Sequence, residues 1–165
     1  MGDTARIGEL SRAVITRAEA AGVMITAAES CTGGLIAVAL TDIAGSSAVV
    51  ERGFVTYSNE AKIEMLGVSA TLIQQHGAVS GEVARAMAAG ALARSSADIA
   101  VSVTGVAGPT GGTLEKPVGL VWFGLARKGV AARAERRLFA PVSRRFIRLK
   151  TVETALMLLL AGLPA

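Results

Sequence analysis

The sequence predicts a layered α/β domain around a mixed sheet. Three observations carry this. Helical periodicities alternate with short apolar, β-branched runs. An apolar run, the glycine-bearing turn 29–34 and a helical stretch follow one another as half a βαβ unit does. Two late extended runs meet at Lys128-Gly129, a hairpin signal that makes the sheet mixed rather than wholly parallel.

The elements follow in order. Ile7, Leu10, Val14, Ile15 and Ala18 repeat at helical spacing, so a helix is expected over Asp3–Ala21, capped by Asp3 and closed by Gly22. Val23–Ala27 reads as a buried strand, and a second helix runs through Leu35–Leu40. Val49–Tyr57 reads as a strand with a bulge at Gly53. Asn59 caps a helix to Leu66, and Ser69 caps another that ends near His76-Gly77. Ser80-Gly81-Glu82 opens an alanine-rich helix to about Arg94. Asp98–Val103 is a central strand, and Gly105–Pro117 is a loop. Val118–Ala126 and Val130–Phe139 form the hairpin, and Ser143 caps the last helix.

The chain's 165 residues suit one domain, and 52% apolar content supplies its core. One cysteine excludes a disulfide framework, and one histidine disfavours metal sites that need several imidazoles. No metal or cofactor is expected. Mean hydropathy is high at +0.52. Yet the longest apolar run, Ala155–Leu163, is far short of the roughly 20 residues a membrane span needs. No membrane partner is therefore expected, and the lack of an export signal points to the cytoplasm. Nine of the 17 Lys and Arg lie in 127–150, where Glu135 is the only acid. That cluster suits phosphates or a solvated face. Nucleic acid is disfavoured, because no RNA-binding aromatic signature accompanies it.

Three segments could carry chemistry. Ser30 follows an apolar strand, which puts its hydroxyl at the carboxyl edge of the sheet. The amides of Thr32, Gly33 and Gly34 are first-turn donors, free to hold an oxyanion or a phosphate unless they serve only to start a capped helix. Cys31 is a rival nucleophile or a small buried side chain. Lys62 opens a helix at a strand end. It is either an exposed lysine paired with Glu60 or Glu64, or an amine brought by burial towards the pKa of about 7–8 that suits a base. His76, at a helix end, is the only imidazole available to that role. The loop from Thr104 has the glycines of an anion cradle, without Walker spacing. Arg144, Arg145 and Arg148 start the last helix, where cations oppose the macrodipole.

Five stretches together resemble the CinA C-terminal domain family. They are AESCTGG at 28–34, TYSNEAK at 56–62, GAVSGEVARAMA at 77–88, TGVAGPTGGTLEKPVGLV at 104–121 and the arginine-led final helix. The resemblance implies one amidase domain over 1–165, in the stand-alone form. Its fold would be a three-layer α/β/α sandwich with a mixed, mostly parallel central sheet, commonly a homodimer. It implies hydrolysis of the carboxamide of nicotinamide mononucleotide, a small-molecule nucleotide. Ser30 would be the nucleophile and Lys62 its base, with Tyr57 assisting. Cys31, Thr32, Gly33, Gly34 and Asn59 would line the substrate pocket. Thr104, Gly105, Gly108 and Arg144 would hold the ribose-phosphate end. The resemblance also allows a non-catalytic nucleotide-sensing or partner-binding domain linked to competence and DNA damage. One departure is local: the family's final helix begins Gly-Asp-Arg, and here Val142-Ser143 stand before Arg144.

Overall fold

A computed structural model describes residues 2–164. The two end residues of the expected 1–165 span lie outside them. Six helices surround a five-stranded mixed sheet. Helix α1 spans Asp3–Ala21, β1 Ile25–Glu29, α2 Leu35–Thr41 and β2 Val50–Val55. Then come α3 (Asn59–Leu66), α4 (Ala70–His76), α5 (Gly81–Ala93) and β3 (Ile99–Gly105). The chain ends with β4 (Leu120–Arg127), β5 (Val130–Leu138) and α6 (Arg144–Gly162).

The strand order is β2-β1-β3-β4-β5. Strand β1 pairs in parallel with β2 and β3, and the β4–β5 hairpin adds two antiparallel pairings. The parallel half therefore has β1 at its centre, and β1 leads directly into Ser30.

Alternation along the strands divides the core into two layers. Ile25 and Ala27, Ile99, Val101 and Val103, and Val121, Phe123 and Leu125 pack with α1, α2 and α6. Ala28, Ala100 and Ala126 face the other way, onto α3, α4 and α5. The small residues on this second face let α5 approach closely. A Cβ on Gly124 would collide with the backbone carbonyl of Ala84, which already accepts the Ser102 hydroxyl at 2.5 Å.

Local chemistry corrects several expected boundaries. Helix α1 has Gly2 at its N-cap, with Asp3 inside the first turn. Strand β1 runs to Glu29, two residues beyond the apolar run, because its polar end is satisfied internally. The bulge in β2 falls at Glu51, where pairing skips from Val50 to Arg52, and Gly53 pairs regularly with Ala27. Ser58, rather than Asn59, caps α3 by accepting the Ala61 N–H. Ser143 caps α6 through the Phe146 N–H, so serine replaces the family's aspartate without loss of the cap. Among the described residues no helix is long and apolar enough to cross a membrane.

Candidate active site

Ser30 is half-buried, and its N–H donates to Val103 O of β3 at 3.1 Å. The turn after it is closed by the Gly33 N–H donating to Ser30 O at 3.0 Å. Gly33 and Gly34 hold φ of 58° and 99°, a region glycine enters without steric cost. The preceding residue, Glu29, is buried. Its carboxylate accepts the N–H groups of Gly34, Ile36 and Ala37 at 3.1, 3.0 and 2.9 Å. The donors expected to be open at Gly33 and Gly34 are thus occupied. Among the described residues neither the Cys31 N–H nor the Thr32 N–H has an acceptor, and Thr32 is fully buried.

Lys62 is the largest fully buried side chain, with 1% of its surface exposed. It makes no ion pair with Glu60 or Glu64 among the described residues. Its Nζ lies 3.0 Å from Ser30 Oγ, 2.9 Å from Thr56 O and 3.4 Å from Ser58 O. Burial lowers its pKa from the ordinary 10.5, because the ammonium loses its hydration. The Thr56 N–H in turn donates to Glu29 O at 2.8 Å. The end of β1, the residue after β2 and the amine on α3 thereby close a ring of short bonds back to Ser30.

Burial acts in the opposite direction on Cys31, pushing its thiol up to about 12. A thiolate is negligible at neutral pH, so Cys31 does not compete as a nucleophile. His76 is exposed at the end of α4, 3.8 Å from Glu82, and does not line the cleft.

The cleft encloses about 240 Å³. It gathers Ser30, Cys31, Tyr57, Asn59, Lys62, Thr104, Gly105 and Arg144 from four separate segments. Its basic side chains are Lys62 and Arg144, with no acid among them. Arg144 donates to Gly108 O and to the Tyr57 hydroxyl, each at 2.8 Å. Thr32, Gly33, Gly34 and Gly108 stand behind this surface and do not line it. Thr104 spends its hydroxyl proton on Ala78 O at 2.8 Å.

Sequence reasoning missed Ala78, Val79 and Ala107, which complete the wall. Nothing in such small apolar residues marks them as site residues. It also missed Glu29, although an acid that ends an apolar run just before a Ser-x-x-Gly-Gly turn was a usable signal. Arg148 stands apart from its neighbour Arg144. It donates to Cys31 O at 3.2 Å and Thr32 O at 2.8 Å, behind the cleft.

Fold and site define the class: an α/β domain with a serine–lysine pair at the carboxyl end of its parallel strands. The chain belongs to the CinA C-terminal domain family, whose profile matches residues 8–163. It is 60% identical over 123 residues to the nicotinamide-nucleotide amidohydrolase PncC of Enterobacter agglomerans, covering 74% of this chain and 75% of that one. The nicotinamide-nucleotide amidohydrolase PncC of Escherichia coli K12 is 58% identical over 118 residues, 72% of each chain. The crystal structure of the competence/damage inducible protein CihA from Agrobacterium tumefaciens superposes with a TM-score of 0.93 at 53% identity. That match covers 98% of this chain and 96% of the other.

Proposed function

We propose that this protein is an amidohydrolase that converts nicotinamide mononucleotide to nicotinate mononucleotide and ammonia through an acyl-enzyme on Ser30. One observation carries the reading: the buried Lys62 amine meets Ser30 Oγ at 3.0 Å and two backbone carbonyls besides. A neutral amine has two N–H donors and one lone pair. Thr56 O and Ser58 O take the donors, and the lone pair is left to accept the Ser30 proton. The names of the PncC relatives supply the substrate class.

The chemistry runs in two halves. Ser30 Oγ attacks the carboxamide carbon as Lys62 accepts its proton. The tetrahedral oxyanion is held by the N–H of Cys31, which lines the cleft beside Ser30. Lys62 then returns the proton to the departing nitrogen, the C–N bond breaks and ammonia leaves an ester on Ser30. Water attacks that ester with Lys62 again as base, releasing the carboxylate and the Ser30 hydroxyl. Arg144, an exposed guanidinium with donors beyond those spent on Gly108 and Tyr57, suits the phosphate. Tyr57 steadies it, and Asn59, Thr104 and Gly105 face the ribose and ring.

The test is ammonia release from nicotinamide mononucleotide. Ser30→Ala is expected to lose activity by roughly a thousandfold or more, and Lys62→Met comparably. A well-folded but inert wild-type protein would end the reading. Full activity in Lys62→Met would end the assignment of the base.

A further inference from the structure

The stretch 104–121 carries a single cation, Lys116, which lies outside the cleft lining. Its loop closes on itself: the Thr113 N–H donates to Lys116 O at 2.9 Å, and the Lys116 N–H to the Thr113 hydroxyl at 3.0 Å. From that turn the side chain reaches back 40 positions, and Nζ donates to His76 O at 2.6 Å. His76 ends α4, so its carbonyl has no partner within the helix. Three consecutive carbonyls are taken up there by side chains. Lys116 donates to His76 O, Ser80 to Gly77 O at 2.8 Å and Thr104 to Ala78 O at 2.8 Å. Gly77 leaves the path open, since a Cβ on it would stand 2.5 Å from Lys116 Nζ.

The segment fastened in this way brings Ala78 and Val79 to the cleft. With Ala107 they form the aliphatic part of its wall, in contrast to Lys62 and Arg144. We propose that Lys116 is a positioning residue for nucleotide binding: it steadies the 76–79 wall on which the flat ring of the substrate rests. Residues 77–80 form no helix or strand, so side-chain anchors stand in for a hydrogen-bond ladder. Ser80 is a local anchor, whereas Thr104 and Lys116 tie the wall to the far side of the sheet edge. Without Lys116 the other two anchors remain, so the wall loosens and does not collapse. A loosened wall must be ordered each time a nucleotide seats on it, and that cost falls on binding. The Lys62 amine bonds only to Ser30, Thr56 and Ser58, so the chemical step is left alone.

The role rests on the amidohydrolase reading, and two readouts separate their failures. The first is kinetic. Lys116→Met removes the donor and should raise KM for nicotinamide mononucleotide about three- to thirtyfold, with kcat within about twofold of wild type. The Kd of nicotinate mononucleotide should weaken in step. Lys116→Arg, which keeps a cationic N–H donor, should recover part of the loss. His76→Ala keeps the carbonyl and should match wild type. The second is dynamic. The ¹⁵N order parameters of Ala78 and Val79 should fall in Lys116→Met, while those of Tyr57 and Asn59 across the cleft stay in place.

A lower Tm with KM unchanged overturns the role, by making Lys116 a brace for the end of α4 and nothing more. A loss of kcat at unchanged KM overturns it too, as does a His76→Ala protein that behaves like Lys116→Met. Unmoved order parameters at Ala78 and Val79 overturn it independently, even in a protein that proves not to hydrolyse the nucleotide. A wild type inert towards nicotinamide mononucleotide overturns the amidohydrolase reading instead, and the order parameters still judge Lys116. If Lys116→Met fails to fold, Lys116→Gln, too short to reach His76 O, decides by the same readouts.

Discussion

At the scale of single residues, the protonation of Lys62 governs the site. Its pKa lies below the ordinary 10.5 because burial strips water from the ammonium. The proposed base works only when neutral, so kcat/KM should fall as pH drops through that lowered value. The same shift appears in stability. Between the native pKa and 10.5 the unfolded chain binds the additional proton, so stability contributed at this position rises with pH across that window. The Tm of wild type relative to Lys62→Met should therefore move in favour of wild type as pH rises towards 10.5. A difference independent of pH would contradict the shift. Arg144 makes a second residue-scale prediction. Losing a charge-assisted phosphate contact costs about 1.5–3 kcal/mol, so Arg144→Met should reduce kcat/KM for nicotinamide mononucleotide roughly 10–100-fold. Nicotinamide riboside, which has no phosphate, should be a poor substrate for both proteins. Equal turnover of riboside and mononucleotide by wild type would remove the phosphate role.

At the scale of elements, the fit of α5 against β4 is tight enough to predict a failure. Gly124 sits against the Ala84 carbonyl, a backbone atom that cannot swing aside. Gly124→Ala should cost about 1–3 kcal/mol, with Tm lower by roughly 2–4 °C for each kcal/mol. A thermal melt unchanged from wild type would refute that packing. The same scale explains which elements were legible. Helices α1, α5 and α6 are written in local periodicity, and their observed bounds lie close to the expected ones. Strand β1 was displaced because Glu29 looks like a strand's polar exit, whereas its carboxylate is buried on amides five to eight residues ahead. Helix α3 was found one residue out at its cap, since Ser58 and Asn59 offer similar oxygens and only backbone geometry decides between them. The cleft residues that carry functional groups, such as Ser30, Lys62 and Arg144, were visible in the sequence. Ala78 and Val79 were not, because what brings them there is the Thr104 hydroxyl, 26 positions away.

At the scale of the whole molecule, α1, α2 and α6 cover one side of the sheet and α3, α4 and α5 the other, with the cleft opening where the parallel strands end. A ligand of that cleft touches segments from residue 30 to residue 144 and so binds only the folded chain. At about 100 times its Kd, nicotinate mononucleotide should add about 2.7 kcal/mol and raise Tm by roughly 5–10 °C. No shift at saturating product would speak against a nucleotide site.

The ring of contacts around Lys62 has a mechanical consequence. Glu29 is bonded to Ser30, its carbonyl takes the Thr56 N–H, the Thr56 carbonyl takes Nζ, and Nζ returns to Oγ. A closed polygon with short sides is stiff, as a braced frame is. The frame is assembled as the chain folds, so amine and hydroxyl already meet before a nucleotide arrives. On the proposed chemistry, what travels between these two groups in each cycle is a hydrogen nucleus, over less than the length of one contact.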